Sequence, residues 1–465
     1  MKRPFSPSAA CMALAVAAGL AAASGCSTIR DARAVQRGVR PKSADCPVAA
    51  EREKVDLRAL DLEGLVNWAL TNRPDVVKAE LSVESARLAL KSVKSGGLLV
   101  PQVDVSLGHS QSTQNREPGH FSWRNTGNGS GRISADILIF DFGRVKAKER
   151  EAREHIVAAE RALATERLSV FGEVANAYFA VLRADALLEV ALTNELEYAE
   201  HLRQSESLLE AGEAKNLDVA RAKVDLSNAR LNTINASNDV ITAGATLMKA
   251  LGIESDMGGR EQVLAPLPDP LAAEKVEFPP TAFTANDALD FARTNAPSLL
   301  ALRARLRAAS AEVDYAIADL FPELSFNTAM GWSDPVWNWS WGINGVMSVF
   351  RGFRKTAAVD SAVVAMKSAE TDIDAAEQQL SLSLALAVAE RDNAAQSLET
   401  ARVAVAQAKE NLDLVAEQYK VGDANRVDFT AAVGAYAEAL GRRVKAFYSG
   451  QQAEAKLVEL LGARK

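Results

Sequence analysis

The chain has 465 residues, of which 48% are hydrophobic and 24% are charged. This composition provides enough apolar surface for a folded core and differs from that of disordered proteins, and the length suffices for about two or three ordinary domains. The formal net charge of −7 leaves no basic surface to neutralise the phosphates of nucleic acid. We therefore exclude nucleic acid as a partner.

The N-terminus has the pattern of an export signal. Lys2 and Arg3 precede an Ala- and Leu-rich run from Ala9 to Ala22, which is shorter than the about 20 apolar residues that a membrane-spanning helix needs. We predict a cleavable signal peptide over residues 1–25. The small residues before Cys26 resemble the lipobox of bacterial lipoproteins, in which the cysteine carries a lipid that palmitate labels. Ordinary cleavage beside a free cysteine is the alternative.

Cysteine usage agrees with this interpretation. Cys11 leaves with the signal peptide, and Cys46 has no intrachain partner once Cys26 is acylated. We therefore predict a lipidated N-terminal segment over residues 26–56 and no disulfide framework.

A tandem repeat organises the rest of the chain. The sequence A-L-T-N-R-P at Ala69–Pro74 returns as A-R-T-N-A-P at Ala292–Pro297. We assign the first repeat to residues 57–253 and the second to residues 281–462, with a Pro- and Gly-rich linker over 254–280 between them. Equivalent positions are Phe140 and Phe350, Arg144 and Arg354, Gly212 and Gly422, Asp218 and Asp428, and Gly252 and Gly462.

Each repeat is predicted to contain, in order, a helix, two strands, a very long helix, a turn and a helix. The first long helix is predicted over Asp141–Ala211, which is over about 100 Å at the usual rise per residue. The helices before the strands and after the turn, Leu62–Leu99 and Ala214–Leu251, are each about 60 Å long. We therefore expect each repeat to supply one full-length helix and two half-length helices stacked end to end.

Apolar residues in the second repeat recur at alternating spacings of three and four, which predicts coiled-coil packing. A curved wall of helices around a lumen and a rigid stalk without a lumen fit this pattern equally well. The seam consists of Leu398, Ala401, Val405, Ala408, Leu412, Val415 and Tyr419.

Four segments alternate between apolar and mostly small or polar residues, which predicts four strands of about ten residues, enough to cross a bilayer when tilted. A soluble, half-buried sheet would have the same alternation. Indole rings prefer the bilayer interface, and they favour the membrane interpretation. The predicted lipid-facing residues are Trp332, Trp337, Trp339 and Trp341.

Four strands cannot close a barrel, and open edges in hydrocarbon leave backbone groups unpaired. Other copies of the chain must therefore close the barrel, and from a plausible barrel size, rather than from a count in the sequence, we infer a homotrimer. Three copies would form a twelve-stranded membrane β-barrel that continues into an α-helical barrel made of long coiled-coil helices.

Several motifs resemble the TolC family of outer-membrane efflux proteins, and they cover about residues 57 to 462. They are the duplicated N-x-P, the strand entries V-P-Q-V and F-P-E-L, the F-D-F-G-R at Phe140–Arg144 and the Y-K-V-G-D-A-N-R-V-D at Tyr419–Asp428. The lipobox resembles the lipidated branch of that family.

The resemblance implies a channel anchored in the lipid of the cell outer membrane and extending into the periplasm. Such a channel conducts substrates passively within a tripartite efflux or type I secretion system. Its partners are a periplasmic adaptor (membrane fusion) protein and an inner-membrane efflux or ABC pump. A non-channel coiled-coil envelope lipoprotein with a scaffolding role is the alternative.

The predicted functional residues lie where the long helices turn. Gly212 and Gly422 end these helices at equivalent positions, where glycine can adopt the left-handed conformation. Together with Asp218 they are the candidates for adaptor docking. On a threefold axis Asp428 would form an acidic ring that favours cations. A first-turn acid that complements the helix dipole is the structural alternative for this residue.

The resemblance also implies a closing network at the periplasmic constriction. Asp428 matches an aspartate that lines the constriction, and Tyr419 matches a tyrosine of the network, although burial in the coiled coil would equally explain the tyrosine. The sequence departs from the family pattern at Ala424, which replaces an arginine, and at Ala431, which replaces a second acid. Arg426 is the candidate for a substitute constraint, so that a simpler gate is expected.

Catalytic motifs are absent from the sequence. The four histidines have no metal-ligand spacing, and neither a P-loop nor a nucleophile motif is present. We therefore predict that the protein is not an enzyme and binds no metal or cofactor, and that the energy for transport comes from a partner.

Overall fold

A computed structural model of the chain describes residues 61–115, 123–212, 215–253, 285–333, 336–421 and 425–462. The predicted signal peptide, the N-terminal segment with Cys26, the linker over 254–280 and Gly422 lie outside these ranges.

The two repeats have the same order of elements, as the tandem duplication predicts. The first repeat contains α1 (Leu62–Asn72), α2 (Pro74–Ser95), β1 (Pro101–Asn115), β2 (Trp123–Phe140), α3 (Arg144–Glu210) and α4 (Asn216–Ala250). The second repeat contains α5 (Ala285–Asn295), α6 (Pro297–Ala318), β3 (Glu323–Ser333), β4 (Val336–Val346), α7 (Arg354–Val421) and α8 (Arg426–Leu461). The long helices α3 and α7 have 67 and 68 residues.

The predicted single helix over Leu62–Leu99 is wrong, because the chain forms two helices there and the second ends at Ser95. Pro74 is the first residue of α2, and Arg73 before it has an extended backbone with φ −71° and ψ 130°. Proline lacks the N–H that would continue a helix and disfavours helical geometry in the preceding residue. The N-x-P motif is therefore a helix break in both repeats.

The helices lie side by side in four columns. The long helix α3 contacts α2 and α4 on one flank and α6 and α8 on the other, and α7 contacts α6 and α8. Helices α2 and α4 thus share one column, and α6 and α8 share another, with α3 between these columns and α7 at the edge. This arrangement confirms the prediction of one full-length helix and two half-length helices per repeat.

The half-length helices meet end to end at two equivalent joints. At the end of α4 a Cβ on Gly252, which has φ +74°, would lie 3.2 Å from Cγ of Arg73. At the end of α8 a Cβ on Gly462, with φ +77°, would lie 2.7 Å from Cδ of Pro297. Only glycine permits both the left-handed backbone and the close approach. The joints therefore explain why the glycine and the N-x-P motif recur together.

Much of the buried core lies around the joints. In the second repeat one buried cluster joins the short helix α5 and the start of α6 to α7 and the end of α8. Its fully packed side chains are mainly alanine and leucine, which allow helix axes to approach closely. Its members are Ala288, Ala292, Ala296, Leu299, Leu380, Leu384, Ala387, Val388, Leu457 and Leu461.

The four strands form one antiparallel sheet in the order β1-β2-β3-β4. Strands β3 and β4 have 11 residues each, close to the predicted length, whereas β1 and β2 have 15 and 18. The polar segment His109–Ser130, which its composition predicts to be a long external loop, is strand over most of its length, so this prediction is wrong. Pairing of β1 with β2 continues to Asn115 and Trp123, because a two-stranded ribbon can satisfy its backbone beyond the end of β3.

The F-D-F-G-R motif lies between a predicted strand and a predicted helix and is therefore expected to form a turn, which the structure confirms between Phe140 and Arg144. Asp141 is buried, and its carboxylate accepts hydrogen bonds from the backbone N–H of Gly143 at 3.1 Å and of Val145 at 2.5 Å. It thereby satisfies free N–H groups at the start of α3. Two successive residues of the turn have positive φ, Phe142 at 53° and Gly143 at 90°.

Candidate functional site

The first site is the helix tip, where α3 turns into α4 and α7 turns into α8. Gly212 has φ +78°, and its N–H donates to the carbonyl of Leu209 at 3.0 Å. The predicted left-handed turn at Gly212 is therefore confirmed. Its counterpart Gly422 falls outside the described residues.

Two acids lie in the first turns of the helices that begin at the tip. The carboxylate of Asp218 accepts a hydrogen bond from the backbone N–H of Lys215 at 3.3 Å and caps α4. Asn425 caps α8 by accepting from the N–H of Asp428 at 3.0 Å, and the Asp428 side chain is exposed. Both acids stand where a negative charge complements the helix dipole. For Asp428, this position is compatible with the structural alternative and with an acidic ring.

An ion pair links α8 to α4 at the tip. Arg426 donates to the carboxylate of Asp225 at 2.9 Å, and only 14% of the arginine side chain is exposed. Arg426 was the predicted substitute constraint, and Asp225 was not predicted. One signal was available, since Asp225 follows Asp218 by seven residues and therefore shares its helix face.

Three rings from three different helices stack beside this ion pair. His201 of α3 lies 5.7 Å from the ring of Tyr419 on α7 and 5.4 Å from the ring of Phe429 on α8, measured between centroids. The Tyr419 and Phe429 rings are 5.3 Å apart. All three planes are within 21° of one another. The stack therefore ties the ends of α7 and α8 to α3.

The His201 side chain is buried, with 3% of the residue exposed. Its Nε2 atom has no hydrogen-bond partner among the described residues. Burial lowers the pKa of His201, the positive charge of Arg426 lowers it further, and the carboxylate of Asp225 acts in the opposite direction. Burial also raises the pKa of the Tyr419 hydroxyl. The ring stack is thus built from neutral aromatic groups. A lone histidine and phenylalanine in helices carry no motif, so sequence reasoning missed both.

The second site is the outer surface of the sheet. Register places Trp332 opposite Trp337 and Met330 opposite Trp339, so the predicted tryptophans share one face. That face is exposed in the chain, and 72% of Trp339 is accessible. The Trp339 indole N–H donates to the hydroxyl of Thr328 at 3.1 Å. The opposite face carries small and polar residues, which are Asp104, Ser106, Arg132, Ser134, Asp136, Ser325, Asn327 and Asn344.

Exposed phenylalanines surround the junction between the sheet and the helices. Phe142 stacks on Phe321 at 5.2 Å between centroids, and Phe140 meets Phe142 edge to face at 4.8 Å. In the second repeat Phe350 meets Phe353 at 5.5 Å, and 75% of Phe353 is exposed. Together with the tryptophans, these rings extend the exposed apolar surface to the helix side of the sheet.

No group of three or more His, Cys, Asp and Glu residues in the described part of the chain is placed to hold a metal ion. Within the same ranges no helix is long and apolar enough to span a membrane.

Comparison with known proteins identifies the family to which the chain is similar. The family model described as outer membrane efflux protein matches residues 65–253 and 288–463, which is more than half of the chain. The chain is 28% identical over 279 residues to the pyoverdine export outer membrane protein OpmQ of Pseudomonas aeruginosa. This match covers 58% of the chain and 56% of OpmQ, so the chain matches only about half the length of this relative.

Solved structures have the same fold. The outer membrane channel CmeC of Campylobacter jejuni matches with a TM-score of 0.75 at 17% identity, over 91% of this chain and 93% of CmeC. The structure of CusC, described in terms of folding and transmembrane channel formation, also gives a TM-score of 0.75, at 18% identity over 92% of this chain and 100% of CusC.

Proposed function

The chain belongs to the outer membrane efflux protein family, and from this we propose that it forms a passive channel through the outer membrane for substrates exported by a pump complex. The exposed apolar face of the sheet, with its alternating tryptophans, is the observation that carries the proposal. A soluble cap, as the scaffolding alternative requires, would bury this face. In a bilayer the same face meets lipid while the polar face lines water.

The sheet supports assembly from several copies. Among the described strands, β1 and β4 are the two edges of the sheet, and each pairs there with a single neighbour. Unpaired backbone groups in hydrocarbon cost several kcal/mol each, so the edges must pair between chains in a membrane. We propose a homotrimer, in which three sheets join β4 of one chain to β1 of the next and close a twelve-stranded barrel.

The edge columns of helices support the same assembly. Helix α7 is one edge, and it exposes Val364, Leu382, Leu386, Val403 and Leu414. The opposite column of α2 and α4 exposes Leu81, Leu88, Leu217, Val224 and Leu231. On the column of α2 and α4 these residues recur every seven positions, at Leu81 and Leu88 and at Leu217, Val224 and Leu231, as in a coiled-coil seam that lacks its partner helix. Joining the two edges between copies would bury the exposed apolar residues of both and form the helical barrel.

The remaining assignments are also proposals. We infer an outer-membrane location with the helices in the periplasm, a lipid anchor on Cys26 and the repeat boundaries at 57–253 and 281–462. The turns at Gly212 and Gly422, with Asp218, are the proposed docking points for a periplasmic adaptor that links the channel to an inner-membrane efflux or ABC pump. OpmQ is named for pyoverdine export, and a small exported molecule is therefore the proposed class of substrate.

The experiment is conductance in planar bilayers with the protein purified in detergent. We expect trimers that give discrete conductance steps. Replacing Trp337, Trp339 and Trp341 together by serine should abolish insertion, because the apolar face is lost. The matched control replaces Asn338 and Ser340 on the opposite face by alanine, and it should still insert. A monomer that stays soluble without detergent after Cys26→Ser would overturn the proposal.

A further inference from the structure

We propose that His201 is a positioning residue of the helix tip, whose neutral ring holds Tyr419 and Phe429 against α3, so that its protonation releases the start of α8. The tip contact stands on the geometry of the single chain. Its consequence for opening a channel rests on the proposed function.

The stack is the first argument. His201 contributes the α3 ring, and the rings of α7 and α8 lie at similar distances from it, 5.7 and 5.4 Å between centroids. Without the imidazole, the rings of Tyr419 and Phe429 would contact each other but no ring of α3 among the described residues. The histidine is therefore the ring through which the end of α7 and the start of α8 both contact the first repeat.

The surroundings of the imidazole are the second argument. Nε2 is buried without a hydrogen-bond partner among the described residues, so a proton added there would have no acceptor. The charged groups that face the ring are Arg426 on α8 and Asp225 on α4, and Tyr419 on α7 is the facing titratable group. Asp225 is already paired with Arg426 at 2.9 Å. An imidazolium would therefore meet a cation whose counterion is engaged, and it would lack water.

The direction of the pH effect follows from these contacts. The pKa of His201 is lowered from its ordinary value of 6.5, mainly by burial. An unfolded or open tip binds the proton more readily than the closed tip does. The stabilisation is present in full above pH about 6.5 and is lost as the pH falls below that value toward the lower pKa of the closed tip. Acidification should thus loosen the first turns of α8.

Hydrogen exchange of the backbone tests the positioning role directly. In the full-length protein we expect exchange over residues 425–430, corrected for the intrinsic effect of pH, to rise by about threefold or more between about pH 7.5 and about pH 5.5. His201→Phe keeps an aromatic ring that cannot be protonated, and its corrected exchange should be independent of pH. His201→Ala removes the ring and should give rapid exchange at both pH values.

The matched control is His155→Phe, because His155 is an exposed histidine of the same helix and lies outside the stack. It should retain the pH dependence of the unaltered protein. Two results would overturn the inference: corrected exchange that does not change with pH in the unaltered protein, or a pH response that persists in His201→Phe.

Conductance separates this inference from the proposed function. If all variants form channels and only those that retain His201 open more on acidification, both the channel function and the positioning role of His201 hold. If the protein conducts but its corrected exchange over residues 425–430 does not change with pH, the role of His201 is overturned and the proposed channel function stands. Absence of conductance together with the expected exchange pattern would overturn the channel and leave the positioning role.

Discussion

Phe142 and Phe353 adopt the same left-handed backbone conformation in equivalent turns of the two repeats, with φ of 53° and 62°. The order of residues is reversed between the turns, since glycine follows Phe142 but precedes Phe353. The turn geometry therefore belongs to the repeat and not to a fixed position of glycine. A bulky residue in this conformation costs about 1–3 kcal/mol, which the surrounding structure must offset.

These turns give a first prediction. Gly143→Ala and Gly352→Ala should each destabilise the protein by about 1 kcal/mol, because both glycines have positive φ. A Cβ at either position meets no atom within 4 Å, so the loss would come from the backbone alone. The measurement is the thermal unfolding midpoint in detergent.

Gly450→Ala is the control for the turn variants. Gly450 lies inside α8, where a Cβ would be 3.6 Å from Cβ of Ala394, an ordinary contact. Alanine is the better helix former by about 0.5–1 kcal/mol, so the midpoint should rise. A rise in the midpoint of Gly143→Ala would contradict the assignment of backbone strain.

The second prediction concerns the ion pair of the tip. Arg426→Ala and Asp225→Ala should each raise hydrogen exchange in the first turns of α8. The double variant should change the free energy of local opening by less than the sum of the changes in the two single variants. We expect a coupling free energy of about 1 kcal/mol, because the arginine is mostly buried and the aspartate about one-third exposed. Arg442→Ala breaks an exposed pair with Glu438 and should change the free energy of local opening, measured by exchange, by less than about 0.5 kcal/mol. Strict additivity at the tip would argue against the pair.

The third prediction distinguishes the two interpretations of Asp428. If three copies of this exposed side chain form a ring, Asp428→Asn should lower cation selectivity and weaken block by divalent cations, since the amide has the same shape and no charge. Ion selectivity in planar bilayers is the measurement. Unchanged selectivity together with a small loss of α8 stability would identify the residue as a first-turn acid.

The fourth prediction concerns the lipid. Cys26→Ser should abolish incorporation of labelled palmitate, whereas Cys46→Ser should leave it unchanged. Channel assembly should persist in both variants, because in the proposed channel the apolar face of the sheet, and not the lipid, contacts the bilayer. Labelling that survives in Cys26→Ser would contradict acylation at this cysteine.

Periodic features of the sequence predicted much of the fold. The duplicated motifs indicated two equivalent repeats, the heptads indicated the long helices, and alternation placed the tryptophans on one face of the sheet, as the register of Trp332 and Trp337 confirms. Each of these patterns is local or recurs in the same order in the second repeat. The end-to-end stacking of the half-length helices was predicted from the lengths of the helices alone.

Contacts between distant helices were not predictable in the same way. His201, Tyr419 and Phe429 meet because three helix ends converge, and no spacing along the chain encodes that meeting. The break at Pro74 was missed because the apolar pattern continues across it. The ribbon beyond residue 109 was taken for a loop because its composition is polar, although the backbone alone can hold two strands together.

The joints at Gly252 and Gly462 affect how a twist passes along the helical columns. Two columns are interrupted at these glycines, whereas α3 and α7 run past them unbroken. A twist applied to α4 or α8 has no continuous backbone ladder through which to reach α2 or α6. A twist of α4 or α8 can therefore reach α2 or α6 only through the side-chain contacts at the joints and through the unbroken helices α3 and α7.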